Sequence, residues 1–249
     1  MNMAEIQVVI GIKPCKIVKQ EEIMKIKYAT ISKTGRRTNN EDYISVIDRI
    51  EEEERWLGIV CDGLGGHAMG EIASETVSKA IEKYWQTQSN GSPTDNATKA
   101  CSSASAELDR RADGMNHVKM GSTLVMASIE GNTATITHCG DSRCYLMRGD
   151  RVLYQTKDHV EYSFGWEMIS RCFFSYRHEA AIPETAQFEI KPGDRILLCS
   201  DGLYKGIPPE ILEARMIDDK SPEEILDVFD FLCEKNSDDN YTAILAIVE

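Results

Sequence analysis

The stretch Leu57-Gly58-Ile59-Val60-Cys61-Asp62-Gly63 carries most of the information about the fold. Its first five residues are typical of a buried strand, and the strand ends in a carboxylate where the interior meets water. The same pattern recurs twice. Residues 196–200 lead into Asp201-Gly202, and residues 241–248 follow Asp239-Asn240.

A fourth acidic cluster, Asn40-Glu41-Asp42, lies near the start of the chain. One carboxylate at the end of a core strand is common. Several carboxylates that converge repel one another and resist ionisation, so convergence of the four clusters predicts a bound cation. Hard oxygen ligands at that density suit Mg²⁺ or Mn²⁺.

The composition, with 42% hydrophobic and 28% charged residues, places the chain among ordinary globular proteins. A net charge of -13 argues against extended binding of nucleic acid. No C-x-x-C pair occurs among the eight cysteines, and no apolar run is long enough to span a bilayer. Without a recognisable signal peptide, these features predict a cytoplasmic protein that lacks structural disulfides.

Helices and strands are expected in blocks along the chain. Apolar residues recur at helical spacing over residues 69–85, a second helix is expected from a cap at Thr94, and Ser221-Pro222 opens a last helix. Strand patterns over residues 122–154 predict an antiparallel meander, and the apolar residues 241–248 predict a central strand. Blocks of this kind favour an α+β fold with antiparallel sheets over a doubly wound parallel sheet.

The domain organisation expected from the sequence is simple. Residues 25–249 contain no repeat or convincing linker and are expected to form one domain. Residues 1–24 stand apart as an N-terminal extension, either an added strand or a leader.

Seven short segments form an ordered set along the chain: residues 37–42, 60–71, 121–123, 138–143, 156–159, 198–203 and 239–242. This set resembles the motifs of the metal-dependent serine/threonine protein phosphatases of type 2C, in their bacterial form. A single Asp-Gly pair is usually a turn, whereas seven motifs in family order leave little room for chance.

The resemblance implies a sandwich of two antiparallel β-sheets flanked by antiparallel α-helices. It also implies hydrolysis of phosphoserine or phosphothreonine by a water that a two-metal centre activates, with no covalent phospho-enzyme. Phosphorylated proteins and a cognate serine/threonine kinase would be the partners of such an enzyme, which is expected to be monomeric.

The resemblance also assigns metal ligands. Asp62 bridges two Mn²⁺ or Mg²⁺ ions, and Gly63 offers its carbonyl, since a glycine lets the backbone come close to the ions. Asp201 and Asp239 bind the first ion, and Glu41 serves the second directly or through water. The alternative for each aspartate is an ordinary turn residue at the end of a strand.

Arg37 has the spacing of the family's phosphate-binding arginine, and its guanidinium fork matches two phosphoryl oxygens. Its neighbour Arg36 is expected to be solvated. Asp141 matches a residue that holds a third, weaker ion in many bacterial relatives, and the alternative is a structural pair with Arg143. Asp42 either supports the metal ligands or caps the local turn.

The chain departs from the family pattern after Asp158-His159, where Val160 replaces the usual serine. Residues 160–184 are also shorter than the family's flap, which lies beside the metal centre. Metal chemistry should survive this change, whereas substrate choice and turnover could differ. Trp166 and Phe173-Phe174 are expected to serve packing, and the five histidines show no metal-ligand spacing.

Two other functions stay open. A related phosphatase that acts on an anti-sigma-factor antagonist would use the same metal motifs. A catalytically weak or inactive phosphoprotein-binding regulator of the same fold would usually lack one or more metal carboxylates. Because Asp62, Asp201 and Asp239 are all present, an active phosphatase is favoured.

Overall fold

The structure is a computed structural model that describes residues 24–64, 69–87, 91–163 and 165–249. The expected N-terminal extension falls outside these ranges, apart from Met24. Its structure, and the assignment of residues 25–249 to one domain, stay predictions.

Two five-stranded sheets in which neighbouring strands are antiparallel form the centre of the molecule. The first sheet contains, from edge to edge, β1 (Ile26–Lys33), β14 (Tyr241–Val248), β13 (Arg195–Cys199), β7 (Arg143–Arg148) and β8 (Arg151–Gln155). The second contains β12 (Glu184–Glu189), β6 (Thr133–Cys139), β5 (Leu124–Glu130), β3 (Arg55–Asp62) and β2 (Asp42–Arg49). The predicted central position of β14 is confirmed, because it lies between β1 and β13.

The predicted meander over residues 122–154 is only partly correct. β5 pairs with β6, and β7 pairs with β8, but β6 and β7 belong to different sheets. The chain crosses between the sheets after Gly140, which has a φ of 124°. A Cβ at Gly140 would overlap Thr123, so a glycine suits this close and left-handed crossing.

Two short antiparallel pairs lie outside the main sheets. β4 (Gly121–Ser122) pairs with β11 (Phe173–Phe174). The hairpin of β9 (Val160–Ser163) and β10 (Trp166–Ile169), called the flap hairpin below, occupies part of the segment that was expected to be shortened.

Helices cover the outer face of each sheet. The described helices are α1 (Ile50–Glu53), α2 (Gly70–Thr87), α3 (Pro93–Asp113), α4 (Asp201–Gly206), α5 (Pro209–Met216) and α6 (Pro222–Asn236). The cap predicted at Thr94 is wrong, because the Ser92 side chain accepts from the backbone N–H of Asp95 and thereby caps α3. The predicted start of α6 is confirmed by a capping box between Ser221 and Glu224. Of the helices that the structure describes, none combines the length and apolar character needed to cross a membrane.

The alternation of side chains along β3 explains the layers. Trp56 and Val60 face the first sheet and belong to the core between the two sheets. Leu57, Ile59 and Cys61 face the other way and pack with α2 and α3. Because both faces of β3 are buried, its sequence reads as a nearly continuous apolar run that ends at Asp62.

Candidate active site

A cavity of about 370 Å³ opens beside the point where β3 ends. All seven residues that were predicted to bind metal or phosphate line this cavity: Arg37, Glu41, Asp62, Gly63, Asp141, Asp201 and Asp239. These residues come from segments that are far apart in the sequence, and the fold brings their side chains and backbone together at one cavity. Their individual roles stay predictions.

The backbone around Asp62 is fixed by reciprocal hydrogen bonds with Thr123. The Asp62 N–H donates to Thr123 Oγ1 at 3.0 Å, and the Thr123 N–H donates to the Asp62 carbonyl at 2.8 Å. Gly63 then donates its N–H to the carbonyl of Glu41 at 3.0 Å. A Cβ at Gly63 would overlap the carbonyl of Gly70, so only glycine allows this close approach.

Asn240 holds the loop that carries Arg37 and Glu41. Its Oδ1 accepts from the Glu41 N–H at 2.9 Å, and its Nδ2 donates to the carbonyls of Thr34 and Asn39, both at 2.8 Å. Asn240 belongs to the motif at residues 239–242, but this positioning role was not predicted from the sequence. The available signal was a polar amide directly before a buried strand.

Asp42 is a buried carboxyl next to the cavity residue Asp62. It lies opposite Asp62 in the register of β2 and β3. Its Oδ2 accepts from Ser200 Oγ at 2.7 Å, a contact between residues 158 positions apart. The side chain therefore does not cap the local turn, and its role in supporting the metal ligands stays a prediction. Its Oδ1 has no hydrogen-bond partner among the described residues.

Burial and mutual repulsion raise the pKa values of three carboxyls at the cavity, those of Asp42, Asp62 and Asp141. Burial, followed by the charge of Asp42, raises the pKa of Asp62 well above its usual range. Burial also raises the pKa of Asp42. Burial and Asp201 raise the pKa of Asp141 to about 6. These carboxyls resist ionisation unless a cation compensates them.

Two basic side chains lie against the carboxylates. Arg37 Nη2 donates to Asp239 Oδ2 at 2.8 Å. Lys205 Nζ lies 2.7 Å from Asp201 Oδ2 and 3.9 Å from Asp141 Oδ2. Lys205 was not predicted from the sequence, although it follows Asp201 by four residues, the spacing of neighbours on a helix.

The structure does not pair Asp141 with Arg143, which was the alternative role for Asp141. Arg143 instead binds Asp158 through two hydrogen bonds of 2.8 and 2.7 Å. Asp141 Oδ1 is buried and lacks a hydrogen-bond partner in the described ranges. An unpaired buried carboxylate oxygen beside a cavity lined by other carboxylates is the donor chemistry that Mn²⁺ or Mg²⁺ requires, so the residues present fit such ions.

The flap hairpin reaches the edge of the cavity. Ile169, at the end of β10, contributes to the cavity lining, which the sequence analysis did not foresee. The expectation that Trp166 serves packing is wrong, since 76% of this residue is exposed. The same expectation is confirmed for Phe173, which is fully buried.

Comparison with known proteins agrees with this geometry. A family model described as Protein phosphatase 2C matches residues 32–246. Serine/threonine protein phosphatase PstP of Mycobacterium tuberculosis is 31% identical over 244 residues, which cover 90% of this chain and 45% of PstP. The chain therefore spans about half the length of that relative. Serine/threonine phosphatase stp of Listeria innocua is 28% identical over 234 residues, covering 84% of this chain and 90% of the relative.

Solved structures share the architecture. The catalytic domain of PstP, in complex with two manganese ions, matches with a TM-score of 0.76 at 28% identity. The match covers 90% of this chain and 99% of that domain. The predicted sandwich of two antiparallel sheets with flanking helices is thereby confirmed.

Proposed function

This chain belongs to the protein phosphatase 2C family, and we propose that it hydrolyses phosphoserine and phosphothreonine in proteins. The observation that carries the proposal is the single cavity that all seven predicted site residues line. A regulator without activity would need no such set of converging carboxylates and one arginine.

Two Mn²⁺ or Mg²⁺ ions would be held by the carboxylates of the cavity. Asp62 would serve both ions, with Asp201 and Asp239 on one side and Glu41 and the Gly63 carbonyl on the other. Asp141, with its unpaired buried oxygen, would hold a third ion. When bound, the ions supply Lewis-acid stabilisation of the phosphoryl oxygens and lower the pKa of a coordinated water.

The remaining residues of the site orient the substrate and the ligands. Arg37 would bind two phosphoryl oxygens through its guanidinium fork, which a lysine could not match. Asn240 holds the backbone of Glu41 by accepting its N–H. Ser200 holds the Asp42 carboxyl by donating its hydroxyl to it. No nucleophilic side chain is needed for the reaction.

The cellular setting is part of the proposal. Seven cysteines fall within the described ranges, and all are buried free thiols, which suits a reducing cytoplasm. Phosphorylated proteins would be the substrates, a serine/threonine kinase would supply them, and the enzyme would act as a monomer.

The decisive experiment compares Asp239→Asn with its neighbour Asp238→Asn after removal of metal by a chelator. Addition of Mn²⁺ should restore hydrolysis of a phosphopeptide in the parent protein and in Asp238→Asn, whose side chain is exposed and pairs with Arg36. Asp239→Asn should stay inactive while its circular dichroism and thermal melt remain those of a folded protein. Absence of activity in the parent protein at every Mn²⁺ concentration would instead favour the phosphoprotein-binding regulator.

A further inference from the structure

Two hydroxyl side chains from different sequence motifs face each other in the interior next to the cavity. Thr123 ends one motif, and Ser142 directly follows Asp141 in another. Both residues are buried, and their hydroxyl oxygens lie 2.7 Å apart. Thr123 also binds the backbone of Asp62, so the two hydroxyls join the segments that carry Asp62 and Asp141.

The pairing between Asp62 and Thr123 departs from a regular antiparallel ladder. Extension of the register of β3 and β5 would place them opposite each other, as a pair that exchanges two backbone hydrogen bonds. The Thr123 N–H donates to the Asp62 carbonyl at 2.8 Å, as such a pair requires. The Asp62 N–H, however, donates to the Thr123 hydroxyl at 3.0 Å. A side chain has thus taken the place of one backbone acceptor.

Further contacts hold the Thr123 hydroxyl in this place. The Thr123 carbonyl accepts from the hydroxyl of Ser122 at 2.8 Å. Its side chain packs against Gly140, where a Cβ would come within 2.7 Å of Thr123 Cβ and Cγ2. Because Thr123 is fully buried, its rotamer is set by packing. Without the hydroxyl, the Asp62 N–H would lose its acceptor and the backbone of Asp62 would have to shift to find another.

Ser142 extends this contact to the loop that carries Asp141. Thr123 Oγ1 accepts from the Asp62 N–H, so its own proton is available, and Ser142 Oγ at 2.7 Å is a suitable acceptor. Ser142 is the residue after Asp141, whose Oδ1 is buried and has no hydrogen-bond partner in the part of the chain that the structure describes. Two hydroxyls therefore connect the backbones of two predicted metal ligands.

We propose that Thr123 is a positioning residue that fixes Asp62 for ion binding, and that Ser142 ties this position to that of Asp141. The inference rests on the proposed function, since the ions are those that the cavity carboxylates would hold. Neither hydroxyl would contact an ion or the substrate. Residues in such outer positions keep the ligands in the geometry that an ion requires, and their loss typically lowers metal affinity by roughly 10- to 100-fold.

Two replacements of Thr123 separate positioning from packing. Thr123→Val keeps the shape of the side chain and removes the hydroxyl, whereas Thr123→Ser keeps the hydroxyl and removes the methyl. In a calorimetric titration of chelated protein with Mn²⁺, Thr123→Val should bind at least roughly tenfold more weakly at an unchanged number of sites. A partly unfolded sample would lower the number of sites instead. Thr123→Ser should keep the affinity of the parent protein to within a few-fold, although its Tm should fall because the methyl packs against Gly140.

Ser142→Ala tests the second contact and leaves the hydrogen bond between Asp62 and Thr123 in place. This variant should weaken Mn²⁺ binding several-fold. Ser78→Ala is the matched control, because Ser78 is a fully buried serine of α2 that does not line the cavity. Its hydroxyl has no hydrogen-bond partner among the described residues, so Ser78→Ala should bind Mn²⁺ as the parent protein does.

The proposal fails if Thr123→Val binds Mn²⁺ as tightly as the parent protein, or if Thr123→Ser loses as much affinity as Thr123→Val. It also fails if Ser142→Ala and Ser78→Ala bind alike. A parent protein that binds Mn²⁺ but hydrolyses no phosphopeptide would overturn the proposed function alone. A parent protein that binds no Mn²⁺ would overturn both.

Discussion

The side chains of Arg37 and Asp239 meet at 2.8 Å although 202 residues separate them in the sequence. Arg37 Nε also donates to the Asp238 carbonyl at 3.2 Å. The residue proposed to bind phosphate is thus held by a carboxylate proposed to bind metal. A divalent ion at Asp239 would compete for the same oxygen, so metal loading would release the guanidinium for the phosphoryl group.

Replacement of Arg37 by alanine should lower kcat/KM for a phosphopeptide by roughly 10- to 100-fold, because a hydrogen bond to a charged group contributes about 1.5–3 kcal/mol. Binding of Mn²⁺, followed by calorimetry, should persist. Arg36→Ala is the matched control, since Arg36 pairs with the exposed Asp238 and does not line the cavity. An equal loss in both variants would refute a specific role for Arg37.

Replacement of Lys205 by methionine should strengthen binding of divalent ions at Asp201 and Asp141, because Lys205 Nζ lies close to both carboxylates. Burial lowers the pKa of Lys205, but Asp201 and Asp141 outweigh this and raise it, so the ammonium stays charged and repels the ion. Because Lys205 is half exposed, a gain of about 1 kcal/mol, or roughly fivefold in affinity, is expected. Calorimetric titration of the chelated protein with Mn²⁺ measures it.

Lys79→Met provides the control for this prediction. Lys79 pairs with Glu75 four residues earlier on α2, which reproduces the helical spacing of Lys205 and Asp201. Lys79 does not line the cavity, and its partner Glu75 is not one of the predicted metal ligands. If Lys79→Met gives the same gain, net charge and not the position of Lys205 controls metal affinity.

The stabilisation of the protein by Mn²⁺ should grow with pH. The pKa of Asp141 is raised to about 6, above its value of about 3.9 in an unfolded chain. A raised carboxyl pKa stabilises the metal-free fold at low pH, and this contribution is lost as the pH rises through about 6. Metal binding needs the deprotonated form, so the rise in Tm caused by Mn²⁺ should be larger at pH 7.5 than at pH 5.

Thermal melts in chelator and in Mn²⁺ at both pH values test this prediction. The Asp141→Asn variant has no proton to lose at this position, so the difference between the two pH values should narrow. A Tm rise that is equal at both pH values in the parent protein, or larger at pH 5, would contradict the assignment of raised carboxyl pKa values to the metal site.

The position of the active site could be predicted because its residues sit at the ends of buried strands. Asp62 and Asp201 each follow an apolar run, and Asp239 precedes one, so the pattern marks where water meets the core. Strand pairing could not be predicted in the same way. The alternation of side chains with a period of two identifies β6 and β7 as strands but does not indicate which strands they pair with. Their pairing depends on the crossing between the sheets at Gly140.

The short elements were also beyond the sequence pattern. α4 has six residues, too few for an apolar repeat, so the helical relation between Asp201 and Lys205 was not recognised. The aromatic character of Trp166 suggested packing, but a two-stranded hairpin outside the main sheets has no layer against which to bury it.

Replacement of the exposed Trp166 by alanine should impair dephosphorylation of proteins more than that of small substrates. Trp166 lies on the flap hairpin, three residues before Ile169 at the cavity, where an aromatic surface could contact residues that flank the phosphate. The loss of one such contact corresponds to about 1–2 kcal/mol, or roughly 5- to 30-fold in kcat/KM for a phosphoprotein. Hydrolysis of p-nitrophenyl phosphate and the Tm should hardly change, because the side chain is largely solvated.

Phe231→Ala removes an exposed aromatic from α6, away from the cavity lining, and should leave the hydrolysis of both substrates unaffected. Equal losses on both substrates in Trp166→Ala would show that the tryptophan acts on the metal centre instead of on the protein substrate.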